Sequence, residues 1–404
     1  MEGIKITKMT RTYQYFELIA ICLFILMLNS CIQSFVPDLN ADDTESFLVV
    51  EGLITDEKGP FKVHLTKSGP VNQLYYQEPV TGADVMIVDN NGNSWQLTDN
   101  QNGWYETEDE NLKGIPGTTY TLKINDGGGN NFESVPELMH EVPDIDSVYL
   151  EEVKLPRFEN GLTYEDNWLN ILLDTHDSTG KTMYWLWKFE ETWEIRMLNF
   201  VHVLHGALDS PDKFYRDEQV KIDPEKEVCW VTLPSKSVLV ESTATSMESD
   251  IKGFVIQSLG PGEDKLHIRY SIFIKQYSMN KELYDYWEQL KKLNEDAGGM
   301  YNTLPAPVYG NIQCVSGSKK VLGYFSASSV KTKRIFINSS DHHITTISPY
   351  ENCIYLTDPN PYIYFRWVYF TTIANTDIKL WVYDDDYCTD CRDYGTNVKP
   401  DFWK

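Results

Sequence analysis

The segment Met183-Tyr184-Trp185-Leu186-Trp187-Lys188-Phe189-Glu190-Glu191-Thr192-Trp193-Glu194-Ile195-Arg196-Met197 alternates in register with a β-strand. Trp185, Trp187, Phe189, Trp193, Ile195 and Met197 share one face, and Glu191 is the exception among them. Successive side chains of a strand point to opposite faces, so this pattern predicts a strand with one face in a core. The row of tryptophans reads as sheet core rather than as a platform for sugars. Leu266, Ile268, Tyr270, Ile272 and Ile274 make a second such face, and their neighbours His267, Arg269, Ser271 and Lys275 are polar. Together they predict an antiparallel sheet with one wet face.

Outward from this region the chain keeps the same grammar. Before it, Phe47 to Ile54, Phe61 to Thr66, Ala83 to Val88, Trp95 to Leu97, Gly103 to Tyr105 and Tyr120 to Ile124 read as short strands. They are punctuated by Thr55–Pro60, by Asp89-Asn90-Asn91-Gly92 and by Asp126–Asn131, rich in the residues that turns require. This spacing predicts an antiparallel β-sandwich over residues 47–141. Val142-Pro143-Asp144-Ile145-Asp146 marks a boundary. A larger β-rich domain follows over 142–404, with Ser147 to Val153 as its first strand and more strands between Gly310 and Asn338. Within it, one helix is predicted over 281–296. Asn280 can cap it, Leu283, Trp287, Leu290 and Leu293 form an apolar stripe, and Gly298-Gly299 ends it. The C-terminal tail, ending Lys399-Pro400-Asp401-Phe402-Trp403-Lys404, reads as short and polar. The predicted class is mainly β: a sandwich followed by a larger antiparallel domain carrying one amphipathic helix.

The N-terminus reads as an address. Lys5, Lys8 and Arg11 precede the uncharged apolar run Leu18–Leu28, which is too short for the roughly 20 residues that span a bilayer. It fits the core of a secretory signal over residues 1–30. Leu28-Asn29-Ser30-Cys31 resembles a bacterial lipobox, with cleavage before Cys31 and lipidation of its thiol. Acyl chains would then anchor the protein, and residues 31–46 would serve as a tether. The first acid after Cys31 is Asp38, so the sequence leaves both the periplasm-facing and the cell-surface side of an outer membrane open.

The 404 residues carry 60 acidic and 35 basic side chains, a net charge of −25. Removing residues 1–30 takes three basic and two acidic groups with it, so the exported part reaches −26. Such a surface repels nucleic acid, whose binders track phosphates with Lys and Arg, and it cannot hold an anionic membrane by charge.

Seven cysteines are present. Cys22 leaves with the signal and Cys31 takes lipid, which leaves Cys229, Cys314, Cys353, Cys388 and Cys391, an odd number in an oxidising compartment. Cys388-x-x-Cys391 is the close pair and Cys353 its nearest outside partner, so these three are the candidate disulfide residues. A zinc half-site or redox thiols are the alternatives, but no second Cys or His pair stands at zinc-finger spacing. No metal and no cofactor is expected. His202 and His205 would diverge on a strand, as would the adjacent His342 and His343. Asp384-Asp385-Asp386 lacks the alternation of a calcium loop. No nucleophile elbow, zincin helix, phosphate loop or dinucleotide fingerprint occurs.

Pro79–Asp89, Gly92, Gly103-Trp104-Tyr105 and Gly114–Tyr120 resemble the carboxypeptidase regulatory-like domain, a transthyretin-like sandwich without catalytic function. Leu48–Asp56, Gly114–Tyr120, Val142–Tyr149, the Trp287 helix, Tyr309-Gly310-Asn311-Ile312, Val321–Ser328 and Gly395–Trp403 together resemble an exported lipoprotein family of the Bacteroidota, domain of unknown function 4249. That resemblance implies partnership with a TonB-dependent outer-membrane receptor and carries over no catalytic residues. The expected function is therefore a lipid-anchored, non-catalytic accessory of a TonB-dependent uptake system. It would bind a nutrient, a small molecule or polymer not named by the sequence, or the receptor itself. A surface hydrolase of glycans or peptides and an adhesive or structural envelope protein are the alternatives.

Overall fold

In the computed structural model of the protein, the described residues are 46–69, 77–196, 200–205, 216–221, 223–246, 249–296, 307–347, 367–372, 379–383 and 390–404. Residues 1–30, read above as a signal, and Cys31, Cys353, Cys388 and Asp384–Asp386 lie outside them. Ser46–Lys404 form one compact unit, and among the described residues no helix is long and apolar enough to cross a membrane.

Nine strands come first: β1 (Leu48–Ile54), β2 (Lys62–Ser68), β3 (Gln77–Pro79), β4 (Asp84–Asp89), β5 (Ser94–Asp99), β6 (Trp104–Thr107), β7 (Thr119–Asn125), β8 (Asn131–Ser134) and β9 (Glu137–Leu138). Five long or medium strands follow: β10 (Ile145–Glu159), β11 (Leu162–His176), β12 (Tyr184–Arg196), β13 (Phe200–His205) and β14 (Arg216–Lys221). After a helical turn, α1 (Pro224–Glu227), come β15 (Val228–Pro234), β16 (Leu239–Ser242), β17 (Asp250–Leu259) and β18 (Arg269–Ser278). The amphipathic helix α2 (Lys281–Asp296) precedes β19 (Ile312–Cys314), β20 (Val321–Ala327), β21 (Val330–Asn338), β22 (Trp367–Thr372) and β23 (Lys379–Tyr383). The fold is mainly β, and the described strand pairs are antiparallel apart from β1 with β20.

The first sheet runs β19-β8-β7-β4-β5-β6-β2-β1-β20. Phe61, Val63 and Leu65 point into its core as their alternation requires, with Ile87, Tyr105 and Leu122. Residues 47–141 do not complete this sheet alone. The chain returns from its far end to supply β19 and β20, and Ile312, Val321 and Phe325 join the same core. Pairing β1 with a strand some 270 positions away is a tertiary choice that no local pattern encodes. The two edges of the sheet meet at Asn311. Its side chain donates to the Phe325 carbonyl at 2.8 Å and accepts from the Phe325 N–H at 3.0 Å, as a strand would. Backbones approach so closely at this seam that a Cβ on Gly310 would lie 1.6 Å from the Gly323 carbonyl oxygen.

A second core lies between the three-stranded sheet β10-β11-β17 and the five-stranded sheet built on β15-β12-β18-β21. Trp185 and Trp187 are fully buried there, with Phe189, Trp193 and Ile195 beside them, so the tryptophan row is core. Each such side chain contributes roughly 1.5–3 kcal/mol by leaving water. Trp185 Nε1 is buried without a hydrogen-bond partner among the described residues, whereas Trp187 is satisfied. Trp187 Nε1 donates to Gln276 Oε1 at 2.9 Å, and the Gln276 amide donates to Pro143 O and Thr175 Oγ1.

The opposite face of this sheet is less wet than its sequence suggests. Helix α2 covers one end, packing Leu283 against Leu186, Val240 and Tyr277. The C-terminal tail covers the other. Phe402 lies 3.5 Å from the Arg334 guanidinium, which also stacks on Phe273, and Trp403 is buried with its Nε1 donating to Glu194 at 3.3 Å. The tail is thus a docked element, held by aromatic–arginine stacking that a reading by polarity overlooks. It is fastened further by Trp230 and Thr396, which exchange backbone hydrogen bonds, and by the disulfide Cys229–Cys391.

Candidate functional site

Helix α2 forms at its expected bounds, with the expected cap and apolar stripe, while Gly298-Gly299, expected to end it, lies outside the described residues. Asn280 Oδ1 accepts the Leu283 N–H at 2.8 Å, the N-cap bond, and Leu283 anchors the apolar stripe at 3% exposure. The helix lies over the junction of the first sheet and the five-stranded sheet, and two recesses open beside it.

The outer cleft encloses about 550 Å³ between α2 and the seam of the first sheet. At its base stands Glu137, 3% exposed. Glu137 Oε1 accepts from Asn311 Nδ2 at 2.7 Å and from the Tyr324 hydroxyl at 3.0 Å, and Oε2 accepts from Asn280 Nδ2 at 2.8 Å. Burial raises the Glu137 carboxyl above the ordinary carboxylate range, while its three donors pull the other way. Burial and the adjacent Glu137 raise the Tyr324 phenol too. The cap of α2, the seam residue Asn311 and β20 are therefore tied together through one carboxylate. Glu282 and Asp285 of α2 face the same cleft.

The inner recess, about 330 Å³, lies under α2 between β1 and β12. Leu53, Leu186, Leu283 and Leu290 give it an apolar floor, and Trp287, Tyr286 and Tyr324 give it aromatic walls. Tyr286 lies 5.3 Å from Tyr324 and 5.7 Å from Trp287, ring centre to ring centre. Burial pushes the Tyr286 phenol up to about 12. The Lys188 ammonium sits 5.2 Å from the Trp287 ring centre. Lys188 is solvent-accessible yet walled in, and that enclosure lowers its proton affinity against the pull of Glu51.

The residues singled out by sequence fall elsewhere. Cys31, Cys353 and Cys388 lie outside the described residues. Cys391 is bonded to Cys229, 162 residues away, which corrects its assignment to a local pair with Cys388 or to Cys353; β15 and the tail had to be brought together first. Cys314 is a free thiol. His342 is buried, with Nε2 3.3 Å from Leu266 O, whereas His343 turns out to Glu152 at 3.1 Å, so the two diverge as an extended chain requires. His202 and His205 lie on β13. Among the described residues no group of three or more His, Cys, Asp or Glu side chains could hold a metal ion.

Glu191, the exception on the tryptophan face, is 6% exposed and fully engaged. It accepts from Tyr270 at 2.6 Å, Gln257 at 2.9 Å and Lys265 at 2.9 Å, and Lys265 also lies over the Trp193 ring. This is a satisfied ion pair inside a core, not an open site.

Sequence reasoning missed Glu137, Asn311 and Lys188. A signal existed for two of them. Asn311 and Tyr324 sit in segments quoted above for their family resemblance, and those segments converge on the cleft. Lys188 follows Tyr184 and Leu186 on the face of β12 whose near end the stripe of α2 covers. No curated protein matches the chain. The family described as domain of unknown function (DUF4249) matches residues 32–334, about three quarters of the chain and every residue named as lining the two recesses. The chain belongs to this family.

Proposed function

We propose that the protein is a lipid-anchored, non-catalytic accessory of a TonB-dependent outer-membrane uptake system, and that it binds its ligand beside helix α2. The observation that carries the binding role is the pair of recesses at the sheet junction. They combine an apolar floor, aromatic walls and a few placed polar groups, which is the usual make-up of a small-molecule site. Glu137 faces N–H and O–H donors on both oxygens and so acts as a fixed acceptor that holds the walls. The lipobox-like Leu28-Asn29-Ser30-Cys31 and the family resemblance support this location and this partner. Pull-down of the intact protein from outer membranes in mild detergent should recover a TonB-dependent receptor, identified by mass spectrometry. A clean negative with intact bait sinks the accessory role.

The hydrolase reading has one observation in its favour. A carboxyl held above its ordinary range, Glu137, shares the outer cleft with Glu282 and Asp285. It requires turnover of a glycan or peptide that Glu137→Gln abolishes. The accessory reading expects no turnover by either form.

A further inference from the structure

Among the charges lining the inner recess, Lys188 and Glu51 attract each other but form no salt bridge. Lys188 projects from β12 and Glu51 from β1, and both line the space beneath α2. Among the described residues neither has an ion-pair or hydrogen-bond partner, and they stand more than the 4.0 Å of a salt bridge from each other. The charges around them are already used. Lys275, directly across the strand pair from Lys188, bonds Glu57 at 2.7 Å, and Lys62 on the same wall pairs with Glu106. The space between Lys188 and Glu51 is floored by leucines and bounded by Trp287. Its volume lies near the small end of ligand pockets, which run from roughly 300 to 1,000 Å³. A simple anion would meet Glu51 and a strongly acidic protein, and a simple cation would meet Lys188. A ligand carrying both charges on a compact head satisfies each without a net electrostatic cost.

We propose that this recess binds a free α-amino acid with a large apolar or aromatic side chain. Its carboxylate accepts from the Lys188 ammonium, its ammonium donates to the Glu51 carboxylate, and its side chain lies among Leu53, Leu283, Leu290 and the Trp287 ring. This rests on the reading of the cleft as a binding site and names the ligand class for it.

The test is calorimetric titration of the full chain in detergent with L-phenylalanine, L-leucine and L-tryptophan. The same protein is titrated with 3-phenylpropanoate, which lacks the ammonium, and 2-phenylethylamine, which lacks the carboxylate. At least one amino acid binds, and each analogue of phenylalanine binds about tenfold or more weakly, the scale of one charge-assisted contact. Lys188→Met removes the preference for phenylalanine over 2-phenylethylamine, and Glu51→Gln removes its preference over 3-phenylpropanoate. Absence of binding by all three amino acids, or equal binding of the analogues, overturns the proposal. Should a variant fail to fold, acetylation of Lys188 in the wild-type protein, followed by mass spectrometry, gives the answer: phenylalanine slows it, and an unchanged rate overturns the proposal. Receptor recovery without amino-acid binding removes this ligand class and leaves the accessory role. Amino-acid binding without a receptor does the reverse.

Discussion

Single residues in this protein earn their places by satisfying others. Glu137 is buried with three donors aimed at it, so its loss strands Asn280, Asn311 and Tyr324. Glu137→Leu should therefore lower unfolding stability by about 3 kcal/mol, because unpaired buried polar groups keep their full desolvation cost. Denaturant melts of the variant check this. The carboxyl also sets a pH dependence. Its folded proton affinity is raised above the ordinary value of 4.5, so between that value and the folded one the native state binds more protons than the unfolded chain. Stability contributed at this position thus falls as pH rises through the window. The difference in unfolding free energy between wild type and Glu137→Gln should shrink over it, and a flat difference would remove the buried-charge account. Glu191 shows the limit of legibility at this scale. Its break in the alternation Trp185–Met197 is plain in the sequence, but Tyr270, Gln257 and Lys265 lie more than sixty positions away, and only the fold reveals that the break is compensated.

Elements were legible where their causes are local. The period of two places β1, β2, β4 and β12, and the cap and stripe place α2 at 281–296, because strand faces and helix ends depend on neighbours within a few residues. One local signal went unused. Asn160-Gly161 joins β10 to β11, with φ of 51° and 78°, the left-handed pair that a tight hairpin turn demands. The two strands pair over nearly their full 15-residue lengths, while β17 supports only the inner half of β11. The outer arm, with Phe158 77% exposed, hangs on its turn. Gly161→Val should cost about 1 kcal/mol and fray this arm alone. Hydrogen exchange should speed up over residues 153–168 and stay unchanged at Trp185 and Ile272. Strand partners, unlike strands, were not legible: nothing near Val321 announces that it will lie beside Leu48.

At the scale of the molecule, distant parts of the chain are clamped together at two places. The Cys229–Cys391 disulfide closes a loop of 162 positions and fixes the tail whose Phe402 and Trp403 cover the second sheet. Cys391→Ser should cost about 2–4 kcal/mol, read as a lowered midpoint in denaturant and as faster proteolysis of the tail. The seam of the first sheet is the other clamp. Gly310→Ala would drive a methyl into the Gly323 carbonyl, and a loss above about 3 kcal/mol or failure to fold is expected by thermal melting. The first strand carries a further consequence of that sheet. β1 begins two residues into the described chain, and it is an interior strand, flanked by β2 on one side and by β20 along its whole length on the other. Consider a pull applied at Ser46, the end nearest the proposed tether, along the axis of this strand. It cannot peel β1 away like the end of a ribbon; it must slide the strand past two neighbours and break both ladders of hydrogen bonds together. The fold is thus built to bear mechanical load at the point where it would be moored.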